Sequence, residues 1–455
     1  MIDYSHALRC YISFRAQTGL LIRSGSEGEF TDSTIECDPN GRMHINGYVW
    51  AGLMRRAVER LEGGAAIARS WGKMSEDELR VSPLWTEATF LRKEDFDVVV
   101  NPGIRIDREW GVTEDGALYE DELAIPLADI PCRFTIFCSS EEEAGQMKER
   151  VADLLWVIGE GIETVGGGWA YGFGRLQPAA VHFAVLDLRT PNGRDALWKT
   201  DFKGWQEKVD GDALAVRRPA IAAGKGWRTL LVEAGVADGQ LLAIHTKTPP
   251  LTEELPIDMP DAFVLHRPRI NTGGMETVPV ITGKAFRQTV LSREIERRLR
   301  STGEKACLNS SDEKRQAVIP AEEESNRCCN CKRCLWFGDT RQSGILSVGD
   351  AEVVAYKAET LHRIALCEHS LQNINLFSGE YLTRGRFTMK IIIDAARGKD
   401  PHLLKADECA DAVYSVLAGM QPGKSPPGWV RIGATTGCTG QLTIHAIQSA
   451  TTGGI

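Results

Sequence analysis

Apolar residues recur every four positions along two stretches of the chain and alternate with polar ones along several others. Val49, Leu53, Ala57 and Leu61 share one face, so residues 48–61 predict a helix that Gly63-Gly64 ends. Phe286, Val290, Ile295 and Leu299 form a second apolar stripe with arginines opposite, which predicts a helix over 286–299. Residues 8–22 alternate and are rich in β-branched side chains, predicting one or two strands, and 230–232 and 241–246 predict their counterparts later in the chain. Residues 132–138 alternate as a strand, 144–158 predict a helix, and a glycine-rich loop follows.

These elements occur twice. Asp32 and Pro39 are followed by a turn, Ile45-Asn46-Gly47 and the first helix; Asp261 and Pro268 are followed by a longer turn (271–277), Ile281-Thr282-Gly283 and the second. Arg105-Ile106, Leu118-Tyr119 and Glu122 find matches in Arg363-Ile364, Leu376-Phe377 and Glu380, all 258 positions on. The loop 165–175 has a shorter match in 432–441. Each copy reads β-α-β…α-β, an α+β sandwich of the ferredoxin-like kind. The expected division is a first domain over 1–186, a connector over 187–227 and a second domain over 228–455. In the connector, Pro191-Asn192-Gly193 and Asp210-Gly211-Asp212 read as turns.

Composition narrows the class. The 455 residues are 43% hydrophobic and 25% charged, as in globular proteins. No apolar run reaches the ~18 residues of a membrane span, and MIDYSHALRC has no secretory pattern, so the cytoplasm is the expected compartment. A formal net charge of −9 leaves nucleic-acid binding to local basic clusters. Arg287, Arg293, Arg297, Arg298 and Arg300 form one such cluster. Five of the 12 cysteines lie between 307 and 334, a density that suggests metal rather than disulfides.

Three patterns carry candidate chemistry. Gly166, Gly167 and Gly168 open a loop with five glycines in nine positions, which lets backbone N–H groups approach phosphate. Arg175 adds a forked cation, and Trp169 and Tyr171 offer faces for stacking bases; the alternative is a hairpin between strands. Cys328, Cys331 and Cys334, with Cys307 as fourth ligand, suit a closed structural zinc site. Cys329 is the other candidate for the fourth position, and buried thiols without metal are the alternative. His44, His266 and His362 are isolated histidines, candidates for acid–base work only if RNA processing is the activity.

The segments 30–56, with Asn46-Gly47 and Arg55, and 104–122, with Ile106-Asp107-Arg108, resemble blocks of the RAMP superfamily. So do the loop 166–175 and Cys328-x-x-Cys331-x-x-Cys334-Leu-Trp-Phe-Gly338-Asp339. The resemblance is to the RNA-binding backbone subunits of type III CRISPR effector complexes, and two fused copies with one cysteine cluster resemble the double-domain subunits of the type III-D branch. It implies guide CRISPR RNA, target RNA and other subunits of the complex as partners. It implies target-cleaving carboxylates at Asp32 and, by the repeat, Asp261, with Asp38 and Asp258 as nearby substitutes, served by a divalent cation such as magnesium. It also implies RNA contacts from the glycine-rich loop, Arg55 and Arg287. The second copy departs from the pattern, with Gln441 in place of the loop arginine and no Ile-Asp-Arg triplet. A non-catalytic guide scaffold and a guide-processing endoribonuclease are the other readings.

Overall fold

The computed structural model describes residues 4–28, 31–62, 82–106, 113–198, 207–210, 226–242, 244–246, 260–271, 274–304, 306, 331–338, 343–366, 373–397, 406–423, 432 and 440–450. The chain divides into two compact units. The first holds Met1–Gly103, Tyr119–Trp169 and Phe173–Lys225; the second holds Ile104–Leu118, Ala170–Gly172 and Gly226–Ile455.

In the first unit, strand β1 (His6–Ala16) buries Ala7 and Arg9 on one face of its first half and, at a period of two, Leu8, Cys10, Ile12 and Phe14 on the other. Strand β2 (Met43–Ile45) leads into helix α1 (Gly47–Glu62), whose buried stripe of Trp50, Leu53, Met54, Ala57, Val58 and Leu61 lies on that face. Phe14 stacks on Trp50 at 5.8 Å, and the Trp50 indole N–H donates to Thr89 Oγ1 at 3.0 Å. Short strands β3 (Leu84–Thr86) and β4 (Thr89–Leu91) precede a long hairpin, β5 (Phe96–Ile106) and β6 (Thr113–Pro126). Then come β7 (Ile130–Cys138), helix α2 (Glu141–Gly159) and β8 (Leu176–Asp187). Ser140 caps α2 by accepting from Glu143 N–H, and three glutamates fill its first turn, where the helix dipole favours them.

The connector is structured where it is described. Thr190 Oγ1 accepts from Gly193 N–H, and Pro191 takes the first position of helix α3 (Pro191–Trp198). Pro191-Asn192-Gly193 is therefore a helix start and not the turn its composition predicts; the Thr190 cap decides between the two. Strand β9 (Glu207–Asp210) pairs with β8, so the five-stranded antiparallel sheet runs β3-β7-β1-β8-β9.

The second unit opens with β10 (Trp227–Val236), followed by the short pair β11 (His245–Thr246) and β12 (Phe263–Val264). The longer turn expected at 271–277 is the end of a hairpin, β13 (His266–Asn271) and β14 (Gly274–Ile281), so the extra residues extend two strands. Residues 283–301 form one helical run, α4, in which Phe286–Ser292 is π-helical. Helix α5 (Lys332–Phe337) follows, then β15 (Leu346–Val348), β16 (Ala351–Glu352), β17 (Val354–Leu366) and β18 (Asn373–Asp394). Helix α6 (Ala406–Ala418) and β19 (Leu442–Ala450) complete it. The sheet runs β15-β18-β10-β19, with the first part of β18 paired to β17.

Both main sheets thus share one order. Numbering the four principal strands of each unit along the chain, the order is 2-3-1-4, all antiparallel, with a helix after the first and third: the ferredoxin-like arrangement. Each central strand carries a β-bulge, at Ser13/Phe14 and at Glu233/Ala234. Each first helix begins at a glycine whose absent Cβ would collide with a carbonyl, Gly47 with Thr86 O and Gly283 with Val348 O. Among the described residues, no helix is long and apolar enough to cross a membrane.

Candidate nucleic-acid interface

The two candidate aspartates occupy equivalent hydrogen-bonded loops. Asp32 N–H donates to Glu120 O at 2.7 Å, and Glu120 N–H donates to Asp32 Oδ2 at 2.6 Å. Asp261 N–H donates to Ser378 O at 3.0 Å, and Ser378 N–H donates to Asp261 Oδ2 at 2.6 Å. Ser378 stands 258 positions after Glu120, the spacing read from the sequence. The match continues: Glu122 N–H donates to Ser33 O and Glu380 N–H to Ala262 O, both at 2.9 Å. Ile35 N–H donates to Glu122 Oε2 at 3.1 Å, and Val264 N–H to Glu380 Oε2 at 3.0 Å. In each unit the loop lies parallel to a long strand, β6 or β18, and is clasped to it at both carboxylates.

Asp32 and Asp261 are exposed, and their second carboxylate oxygens have no hydrogen bond among the described residues. One oxygen of each is thus held by the backbone while the other is open to a ligand. Glu122 and Glu380, which sequence reading noted only as repeat markers, fix the same loops; the offset of 258 that they share with Glu120 and Ser378 was the available signal. Asp38 accepts from the N–H groups of Asn40 and Arg42 and from Arg42 Nε, which makes it a turn former. Asp107, Arg108 and Asp258 lie outside the described residues.

The glycine-rich loop folds back on residues 17–22. Gly167 N–H donates to Leu21 O at 2.8 Å, Gly174 N–H to Gly19 O at 2.9 Å, and Arg175 N–H to Thr18 Oγ1 at 3.1 Å. Gly166 has φ of 75°, a left-handed conformation, and a Cβ there would also meet Leu21 O, so only glycine fits. Gly166 and Gly167 are exposed and Gly168 and Tyr171 half-buried, whereas Trp169 and Arg175 are buried. Burial pushes the Arg175 guanidinium down to about 10. The outward surface of this loop is therefore its glycine backbone, and Trp169 and Arg175 serve its packing.

Arg55 is exposed on α1, with no hydrogen bond or ion pair among the described residues. Arg287 differs. It is 2% exposed, and its guanidinium donates to Leu346 O at 3.1 Å and Phe337 O at 2.5 Å, so it ties α4 to β15 and α5. The arginine cluster on α4 is largely neutralised: Arg297 and Arg298 both pair with buried Glu294, and Arg300 pairs with Glu296. His44 pairs with Glu36 and stacks on Phe90, and His266 Nδ1 contacts Val264 O, so both are held by neighbours.

Cys331 and Cys334 are buried one turn apart at the start of α5; Cys307 and Cys328 lie outside the described residues. Among the described residues no group of three or more His, Cys, Asp or Glu is placed to hold a metal. Two buried thiols at this spacing fit half of a tetrahedral zinc site.

Residues 13–177 match the family model described as the RAMP superfamily. This segment, about a third of the chain, is similar to a RAMP domain. It contains Asp32, Arg55 and the whole of the glycine-rich loop. No curated protein matches the chain. Among solved structures, a chain of the cryo-EM structure of the Type III-B Cmr-beta bound to cognate target RNA is similar at 17% identity and a TM-score of 0.31. The match covers 40% of this chain and 61% of that one, so it spans less than two thirds of the matched chain.

Proposed function

We propose that this chain is a guide-RNA-binding backbone subunit of a type III CRISPR effector complex, with two RAMP-type domains fused as in the III-D branch. Its partners are guide RNA, target RNA and other subunits, and it cleaves target RNA paired to the guide. The observation that carries this reading is the repeated clasp: the segment similar to a RAMP domain presents an exposed loop carboxylate at Asp32, and the same hydrogen bonds present Asp261 in the second unit. Arg55 and the exposed backbone of Gly166 and Gly167 suit sequence-independent contact with phosphates, and pairing with the guide supplies specificity.

In-line attack by a ribose 2′-hydroxyl needs a proton acceptor or charge neutralisation at the phosphate. The open oxygens of Asp32 and Asp261 suit either part and would hold a divalent cation such as magnesium, which supplies charge neutralisation when bound. Cys307, Cys328, Cys331 and Cys334 would hold zinc in a structural part, with Cys329 the other candidate in the place of Cys307.

One observation favours a second reading, a guide scaffold without cleavage: each aspartate already has a structural partner in the backbone amide it accepts from. The assembled complex, with copurifying RNA and a labelled target, separates the two. Two cuts at fixed separation are expected, one lost in Asp32→Ala and the other in Asp261→Ala. If every product band persists in both variants, the scaffold reading replaces the cleaving one.

A further inference from the structure

On the face of the first sheet opposite α1, a cleft of about 560 Å³ lies between the edge strand β3 and helix α3. Arg9, Leu84, Trp85, Thr86, Glu87, Thr135, Leu197 and Trp198 line it, and four of these decide its chemistry. Trp85 and Trp198, from β3 and from the end of α3, are 55% and 73% exposed. Large exposed indoles beside one cleft are unusual in a monomer surface and offer planar apolar faces. Glu87 is 46% exposed, with Arg9 at 3.9 Å and Arg133 at 3.8 Å. Those separations exceed hydrogen-bond range, so the carboxylate keeps lone pairs for a donor. Arg9 is buried and already donates to Ala196 O at the end of α3, which fixes the floor.

We infer that this cleft is a nucleobase site, in which Trp85 and Trp198 offer stacking faces to an unpaired guanine of RNA and Glu87 accepts from its N1–H and N2–H groups. The inference rests on the reading of the chain as an RNA binder and adds a site away from the clasped aspartates and the glycine-rich loop. Three features of the lining select this occupant. Indole faces suit any base. A carboxylate selects a pairing edge that carries donors, as guanine's does and as those of adenine and uracil do less well. Arg9 and Arg133, 3.9 and 3.8 Å from Glu87, set cations beside the base edge. An apolar plug from a protein would bury the half-exposed Glu87 carboxylate without supplying a donor, at a desolvation cost.

The test uses the full chain and end-labelled RNA pentamers of sequence UUGUU, UUAUU and UUUUU, read by fluorescence anisotropy beside a long single-stranded RNA. The guanine pentamer should bind best, and Trp198→Ala or Trp85→Ala should weaken it about tenfold, as loss of one stacked base does. Glu87→Gln should abolish the preference for guanine over adenine and leave adenine binding unchanged, because the amide replaces one acceptor with a donor. Trp198 is exposed, so its variant should melt as the parent does. Equal pentamer affinities in parent and variants overturn the inference, as does a proline-rich peptide that changes tryptophan emission where no pentamer does. Failure of the long RNA itself to bind instead removes the RNA-binding reading, and this inference with it.

Discussion

Asp32 joins a structural and a chemical part in one side chain: Oδ2 accepts from Glu120 N–H while the other oxygen faces solvent. Two substitutions separate them. Asp32→Ala removes both, and should cost about 1 kcal/mol in stability, the usual net value of one hydrogen bond, together with one target cut. Asp32→Asn keeps an acceptor for Glu120 N–H and removes the charge, so melting should stay at the parent value while the cut is lost. Thermal melting and a labelled-target assay on the same preparations check this pair; a product band surviving in Asp32→Asn would assign the residue to the clasp alone. Arg287 is the opposite case, a cation with a packing part. Its two carbonyl partners, Leu346 O and Phe337 O, lie in separate elements. Arg287→Met leaves both unsatisfied and should destabilise the second unit by about 2 kcal/mol, the range for hydrogen bonds to charged groups. Urea unfolding measures it; an unchanged midpoint with weakened RNA retention would restore the contact role expected from the sequence.

At the scale of elements, β1 and β7 are central to the first sheet, and their thiols report its integrity. Cys10, Cys132 and Cys138 are buried along this pair. Burial pushes the Cys138 thiol up to about 11, and those of Cys10 and Cys132 also upward. Only the thiolate is nucleophilic. The Cys37 thiol is also raised, by desolvation and the nearby Glu122, but it is exposed, so alkylation at pH 8 followed by mass spectrometry should modify Cys37 and spare these three until denaturant is added. Prompt modification of Cys10 in the native chain would mean that β1 and β7 open readily. Helix α3 shows how local chemistry alters an element's reading. Proline and glycine in 191–193 predict a turn, yet Thr190 accepts from Gly193 N–H and Pro191 needs no donor at the first helical position. The same helix then carries Trp198 to the rim of the cleft.

At the scale of the whole molecule, the repeat implies two sheets built alike and one cysteine cluster present in the second unit only. If Cys331 and Cys334 share a zinc ion with Cys307 and Cys328, freshly purified, reduced protein should contain about one zinc per chain. Cys331→Ser should release it and lower the melting temperature of the second unit, because metal affinity and folding are coupled. Metal analysis finding none in the parent protein would leave Cys331 and Cys334 as buried packing thiols.

The sequence alone determined the duplicated frame. The spacing of 258 between Glu122 and Glu380, the glycines Gly47 and Gly283 ahead of each first helix, and the aspartates before them were legible because each is a local pattern repeated along the chain; the second helix begins three residues before the expected 286. Strand alternation and four-residue stripes likewise record which face of an element is buried. They do not record what meets a polar side chain there. Arg287 and Arg175 read as RNA contacts because guanidinium groups suit phosphate; Leu346 and Phe337 accept from the first, and the second is buried within the first unit. Trp85 and Trp198 carry no motif and are 113 positions apart, and only the pairing of β3 with β7 and the seat of α3 on the sheet bring them to one cleft. Such partners come from distant chain, so tertiary packing decides whether a charge or an aromatic ring faces a ligand or the core.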